Sequence, residues 1–164
     1  MSRRAIILII ILVLGSAVIF FSVSRMGNQG GSLTRRVQKT VEIGHEAARE
    51  WKNDAELSSV RSDVIQGRTV WTGVFASKKT PGIAYEVLIE DGRVIETKEL
   101  RLAREGKAVP GNLITAEEAV AKMRKIPGFE NEQVTGVELI YGPDGNTWYW
   151  GITTARGVIT IKAN

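Results

Sequence analysis

The chain has 164 residues, with 22 Lys and Arg against 18 Asp and Glu, and it contains no cysteine. The absence of cysteine excludes disulfides, thiol catalysis and thiolate metal sites. Residues 40–164 hold 16 of the bases and all 18 acids, so the sequence shows no concentrated basic face of the kind that binds nucleic acid.

An apolar run from Ala5 to Val23 carries no charge and only two hydroxyls. As a helix it spans roughly 28 Å, close to the thickness of a bilayer's hydrocarbon core. It is longer than a signal-peptide core and no A-x-A-like site follows, so residues 1–25 are predicted to be an uncleaved transmembrane anchor rather than a removable signal or a buried core helix. The numbers of positive charges before and after the apolar run are nearly equal. Arg3 and Arg4 lie directly beside the run and favour a cytoplasmic N-terminus, which places residues 26–164 outside the cytoplasm.

A glycine-rich segment, residues 26–32, is predicted to be a flexible linker. A helix is predicted from Leu33 to Asp54, because apolar residues recur there at spacings of three, four or seven. Four strands come next, with Asp91-Gly92 as a hairpin turn between the last two. Their predicted bounds are Val60–Gln66, Thr69–Ser77, Ile83–Glu90 and Arg93–Lys98.

The second half begins with a capping box at Thr115–Glu118, which opens a short helix that Pro127-Gly128 stops. Three strands are predicted after it, at Gln133–Tyr141, Thr147–Thr153 and Gly157–Lys162. Each helix must cover a sheet face to bury its apolar stripe. The expected fold is therefore α+β, with two helix-plus-antiparallel-sheet units at residues 33–108 and 109–164 whose sheets or sheet edges associate.

The second half closely resembles the PepSY module, which is cystatin-like. The resemblance is carried by Leu113–Met123 with its T-A-E-E-A motif, by Val134–Tyr141 and by the aromatic Trp148-Tyr149-Trp150. The first half looks like a divergent copy, and its segments Gly44–Ala48, Leu57–Val60 and Gly67–Trp71 resemble the TseB-like cell-wall elongation regulators. The order of anchor, linker and two helix–strand cycles is also similar to that family.

Membership of this family implies a single-pass membrane protein with two PepSY-like units outside the cell. It implies binding to a penicillin-binding protein, with modulation of that enzyme's level or activity, and no catalytic role. Two alternatives stay open from the sequence: an inhibitor or chaperone-like modulator of an exported peptidase, and a sensor ectodomain for a small ligand such as a wall fragment.

The ionisable side chains offer no catalytic or metal-binding set. His45 is the only histidine, too few nitrogen ligands for a metal or a catalytic dyad. Glu118 is explained by capping, Ser77 lies in a predicted turn, and Asp144-Gly145-Asn146 lacks the full spacing of a calcium loop. No catalytic residue, metal or cofactor is therefore expected.

The aromatic strand residues are the remaining candidates. Trp71, Trp148 and Tyr149 are predicted partner-binding residues, because Trp and Tyr dominate interface hot spots. The alternative interpretation is that they fill the core. Since side chains alternate along a strand, Trp148 and Trp150 are expected on one face of the sheet and Tyr149 on the other.

Overall fold

The computed structural model describes residues 32–65, 68–101, 105–142 and 145–164. These residues form two helices, α1 (Leu33–Trp51) and α2 (Ala116–Met123), and seven strands. The strands are β1 (Glu56–Ile65), β2 (Arg68–Ala76), β3 (Ile83–Glu90), β4 (Arg93–Arg101), β5 (Gly136–Tyr141), β6 (Trp148–Thr154) and β7 (Gly157–Lys162).

The described strands make one antiparallel sheet in the order β4-β3-β2-β1-β5-β6-β7. β1 pairs with β2 on one side and with β5 on the other, where Val60 lies opposite Leu139 and Arg61 opposite Glu138. The expectation of two PepSY-like (cystatin-like) helix-plus-sheet units is therefore wrong. The fold is α+β with a single seven-stranded sheet, and the predicted boundary between residues 108 and 109 falls in the connection from β4 to α2.

Edge pairing explains why one sheet forms. In two separate units, β1 and β5 would each be an edge strand with a row of unpaired backbone groups. Joining them removes both edges and places Val60 beside Leu139, which are 0% and 2% exposed. Full burial of an aliphatic side chain contributes about 1.5–3 kcal/mol, against about 1 kcal/mol for a backbone hydrogen bond. Apolar burial therefore contributes more than backbone hydrogen bonding to the stability of the β1–β5 pairing.

The predicted transmembrane helix, Ala5–Val23, lies outside the described residues. Within the part of the chain that the structure describes, neither helix combines the length and the apolar character needed to cross a membrane.

Both helices lie on the same face of the sheet and share one core. Register places Leu139 and Trp150 in line with Val60 and Gly73 on that face. Buried residues of α1, α2 and five strands form the continuous cluster, and partly buried Ile159 and Ile161 of β7 pack against it. The largest of its fully buried members are Trp148, Phe75, Ile89 and Met123.

α1 bears its predicted apolar stripe against this core, with Val37 and Ala48 buried. Gly44 sits in the middle of the helix because of Phe75: a Cβ at residue 44 would lie 2.8 Å from the Phe75 ring. The helix ends at Trp51, earlier than predicted, since Lys52 is already extended at φ −147° and ψ 126°. Trp51 stacks on Tyr85 with ring centroids 5.2 Å apart, which joins the helix end to β3.

The predicted capping box at α2 is confirmed. The Glu118 backbone N–H donates to the Thr115 hydroxyl (3.1 Å), and the Thr115 backbone N–H donates to the Glu118 carboxylate (2.7 Å). The Glu118 carboxylate accepts hydrogen bonds from the Thr115 backbone N–H and from the Thr115 hydroxyl, and these two bonds hold the pKa of Glu118 below its usual value. The helix is short, so its stability depends on this cap and on burial of Ala119 and Met123.

The N-termini of the two helices meet and cap each other. The Thr34 hydroxyl donates to the Glu117 carboxylate (2.5 Å) and accepts from the Ala116 backbone N–H (2.9 Å). The Thr34 backbone N–H also donates to Glu117, at 3.4 Å. A carboxylate from α2 thus lies at the positive end of α1, where the helix dipole favours it.

The charge on Glu117 stabilises this junction. Burial acts to raise the pKa of Glu117, but hydrogen bonds from the Thr34 hydroxyl and from backbone amides outweigh it and hold that pKa below its ordinary value of 4.5. A carboxyl with a depressed folded-state pKa stabilises the fold fully above its unfolded-state pKa, and the stabilisation is lost as the pH falls through the folded-state pKa.

We therefore expect Glu117→Gln to lower the free energy of unfolding near neutral pH. The difference from the parent chain should shrink as the pH falls below 4.5, because Glu117 then becomes protonated in the parent too. Denaturant unfolding followed by tryptophan fluorescence at several pH values measures this. Glu46→Gln, an exposed change on α1, is the control for loss of one negative charge. If Glu117→Gln lowers the free energy of unfolding by the same amount at every pH, the charge on Glu117 does not stabilise the contact between the helices, and the prediction is wrong.

Candidate functional site

A groove of about 410 Å³ opens between α1 and the connecting segment 109–114. The stripe of α1 that faces it repeats at helical spacing: Thr34, Val37, Gln38, Val41 and Glu42. Val109, Pro110, Gly111, Leu113 and Ile114 form the opposite wall, and Leu139 and Trp150 lie at the base. We call this feature the α1 groove.

Two hydrogen bonds hold one wall of the α1 groove in place. Trp150 donates from Nε1 to the Ile114 carbonyl at 2.9 Å, and the Ile114 backbone N–H donates to the Ala163 carbonyl at 2.9 Å. These bonds attach the connecting segment to β6 and to the end of β7. The groove is therefore a stable feature of the fold, with walls from both halves of the chain.

Most of the α1 groove lining is apolar. Its polar side chains are Thr34, Gln38 and Glu42, and among the described lining residues Glu42 is the one that carries a charge. Both Gln38 and Glu42 are exposed at the rim. Val109, on the opposite wall, keeps 37% of its surface exposed. The apolar lining suits an apolar ligand, and Glu42 suits a positive group on that ligand.

The structure separates the three predicted partner-binding aromatics. Trp148 is 1% exposed and packs against Tyr141, with ring centroids 5.3 Å apart. Trp71 is 8% exposed and lies in the core between Ser62 on β1 and Ile89 on β3. Tyr149 is half-buried and points to the other face, as alternation along β6 predicts. Their role in binding stays a prediction, and Tyr149 has the accessible surface to fulfil it.

The second face of the sheet carries neither α1 nor α2; we call it the uncovered face. One row of paired residues crosses it from edge to edge: Lys98, Glu86, Val74, Ser59, Ile140, Tyr149 and Lys162. Val74, Ile140 and Tyr149 are half-buried in the middle of this row. An apolar centre flanked by charged residues is the usual composition of a protein-binding surface.

Ion pairs border that apolar centre. Lys98 contacts Glu86 at 2.7 Å, and Arg61 contacts Asp63 at 2.9 Å. The hydrogen bond to Glu86 and the negative charge of Glu86 raise the pKa of Lys98. Exposed pairs of this kind add little to stability, but they fix the charge pattern that a partner meets.

A second cavity, of about 580 Å³, lies at the end of α1 and includes Asp54, Ser77 and Glu105. The Ser77 hydroxyl donates to Asp54 at 2.6 Å and accepts from the Lys79 backbone N–H at 3.0 Å. The bond from Ser77 holds the pKa of Asp54 below its usual value. Ser77 is 5% exposed, and both bonds serve the turn that starts at this residue.

His45 also has a structural environment. Its Nε2 lies 2.9 Å from the Ala55 carbonyl and 3.9 Å from Glu56, and its ring stacks on Phe75. Among the described residues, no group of three or more His, Asp or Glu side chains is close enough to hold a metal ion.

The α1 groove was not predicted from the sequence. Val109 and Pro110 lie in the connection before the second predicted helix, and nothing in the sequence shows that this connection runs beside α1. The available signal was the group of apolar residues near the end of this connection, at positions 108–110, 113 and 114.

Comparison with known proteins gives a similarity of fold. The search of protein-family models found no match, and neither did the search of curated proteins. A crystal structure of a candidate lipoprotein from Clostridium difficile 630 superimposes with a TM-score of 0.54. It is 14% identical, and the match covers 74% of this chain and 84% of that one. At that identity the likeness indicates a shared fold and does not extend to function.

Proposed function

We propose that this protein is a membrane-anchored extracytoplasmic regulator of cell-wall elongation that binds a penicillin-binding protein and has no catalytic activity. The proposal rests on the resemblance of the sequence to TseB-like regulators and on the uncharged run Ala5–Val23. The observation among the described residues that supports it best is the uncovered face, where half-buried Tyr149 lies on β6 between Ile140 and Lys162.

The uncovered face suits a protein partner better than a small ligand. It crosses seven strands, with half-buried apolar residues in the middle and charged residues at both ends of the row. An anchored protein searches for membrane partners at high effective concentration, so an interface of modest affinity is sufficient.

The location can be tested without background labelling because the chain contains no cysteine. We expect the single substitution Lys125→Cys, on the exposed surface, to react with a membrane-impermeant maleimide in intact cells. Ser2→Cys should react only after the membrane is permeabilised. The reverse labelling pattern would place the folded part in the cytoplasm and would contradict the proposal.

Partner binding is tested by crosslinking in membranes and purification of the chain. We expect a penicillin-binding protein to be recovered, and Tyr149→Ser to reduce the recovery at least roughly ten-fold, since loss of a hot-spot aromatic costs about 2 kcal/mol or more. Thr153→Ala, an exposed change on the same strand and face, is the matched control. The melting temperature of each variant is measured alongside.

Two outcomes would contradict the binding proposal. One is that no penicillin-binding protein is recovered with the parent chain. The other is that Tyr149→Ser and Thr153→Ala, both folded, leave the recovery equally unchanged.

A further inference from the structure

The geometry points to a second contact with the partner, at the α1 groove. We infer that this groove binds a short apolar segment that carries a Lys or Arg and lies close to the membrane in the partner protein. This inference rests on the proposed function, because it concerns a further segment of that same membrane-anchored partner.

The lining determines the chemical class of the ligand. Val37, Val41 and Leu113 lie along the walls and Leu139 and Trp150 at the base, so the groove favours apolar side chains. Its volume of about 410 Å³ is in the lower part of the range for ligand pockets. That is room for a few side chains of one segment, presented as a helix or an extended chain presents them.

The charge at the rim selects among apolar segments. Glu42 is the charged residue of the described lining, and it is exposed at the open side of the groove. A Lys or Arg beside the apolar residues of the ligand would meet this carboxylate, whereas an acidic residue there would be repelled. An exposed pair adds little affinity but fixes the orientation and excludes wrong partners.

The position of the groove limits where the ligand can come from. α1 begins at Leu33, and Thr34 already lines the groove. Nine residues, 24–32, separate the apolar run from α1, and nine extended residues span at most about 32 Å. In the proposed function, the Thr34 end of the groove therefore stays within about this distance of the bilayer surface. A segment next to the partner's own transmembrane span is held at the same height, which favours it over ligands from bulk solution.

Photocrosslinking from the wall of the α1 groove tests whether a segment of the partner binds there. p-Benzoylphenylalanine is placed at Val109, in the full chain expressed in cells, and at Val158 as a control, since Val158 is 63% exposed on the edge strand β7. We expect the Val109 probe, and not the Val158 probe, to crosslink to a wall-synthesis protein. The crosslinked peptide should map within about ten residues of that protein's transmembrane span, be mostly apolar and contain a Lys or Arg.

Charge exchange then tests the role of Glu42. A synthetic peptide of the mapped segment should bind the full chain in nanodiscs roughly five-fold more weakly after Glu42→Lys, the order expected for loss of one exposed pair. Glu46→Lys, one turn further along the same helix, exposed and outside the groove lining, should leave binding unchanged. Replacing the peptide's basic residue with Glu should restore affinity for Glu42→Lys.

The results that would contradict binding at the α1 groove differ from those that would contradict the proposed function. Crosslinks from Val109 to lipid, to a second copy of the chain or to nothing would overturn the inference, as would equal effects of Glu42→Lys and Glu46→Lys. If a penicillin-binding protein is still recovered in a Tyr149-dependent way, only the groove contact fails. If none is recovered at all, the proposed function fails with it.

Discussion

The antiparallel pairing of β1 with β5 is the contact on which the rest of the structure depends. It covers only three residue pairs, Ser59–Ile140, Val60–Leu139 and Arg61–Glu138, yet it makes one sheet of two strand groups that are separate in sequence. Because the sheet is continuous, α1 from the first half reaches Leu139 and Trp150 of the second. The core, the α1 groove and the uncovered face all contain residues from both halves for this reason.

The contact between the helix N-termini reinforces this arrangement. Thr34 and Glu117 join the two helices at the point where the chain enters the folded part. In the proposed function, the anchor therefore connects to a site that both halves hold in place. In that proposal, the α1 groove begins at Thr34, close to the anchor in the sequence, whereas the uncovered face lies on the opposite side of the sheet. The proposal therefore gives the partner two separate surfaces.

Local patterns in the sequence were sufficient to predict most helices and strands. Alternation along Ile83–Glu90, the Asp91-Gly92 turn with φ of 50° and 75°, and the capping box at Thr115 were all recognisable because each depends on near neighbours. The start of β1 was missed because Glu56, Ser58 and Ser59 are polar, and its register shifts between Leu57 and Ser59. A bulge of this kind breaks the alternation that a sequence pattern requires.

The contacts that join distant parts of the chain could not be predicted in the same way. Nothing local to Val60 or Leu139 distinguishes a strand that pairs across the two halves from one at the edge of its own unit. The α1 groove has the same origin, because Val41 and Val109 become neighbours only when the sheet is continuous. The faces of Trp148 and Tyr149 were predictable from alternation; the burial of Trp71 depends on the helix that covers its strand.

The most direct test of the single sheet is native-state hydrogen exchange, with backbone amides of β2 and β6 followed separately at increasing denaturant. If β1 and β5 join the halves into one cooperative unit, the most protected amides of both strands should exchange with the same free energy and the same denaturant dependence. Exchange of the β6 amides through an opening that leaves the β2 amides protected would show two independent units and would contradict this account.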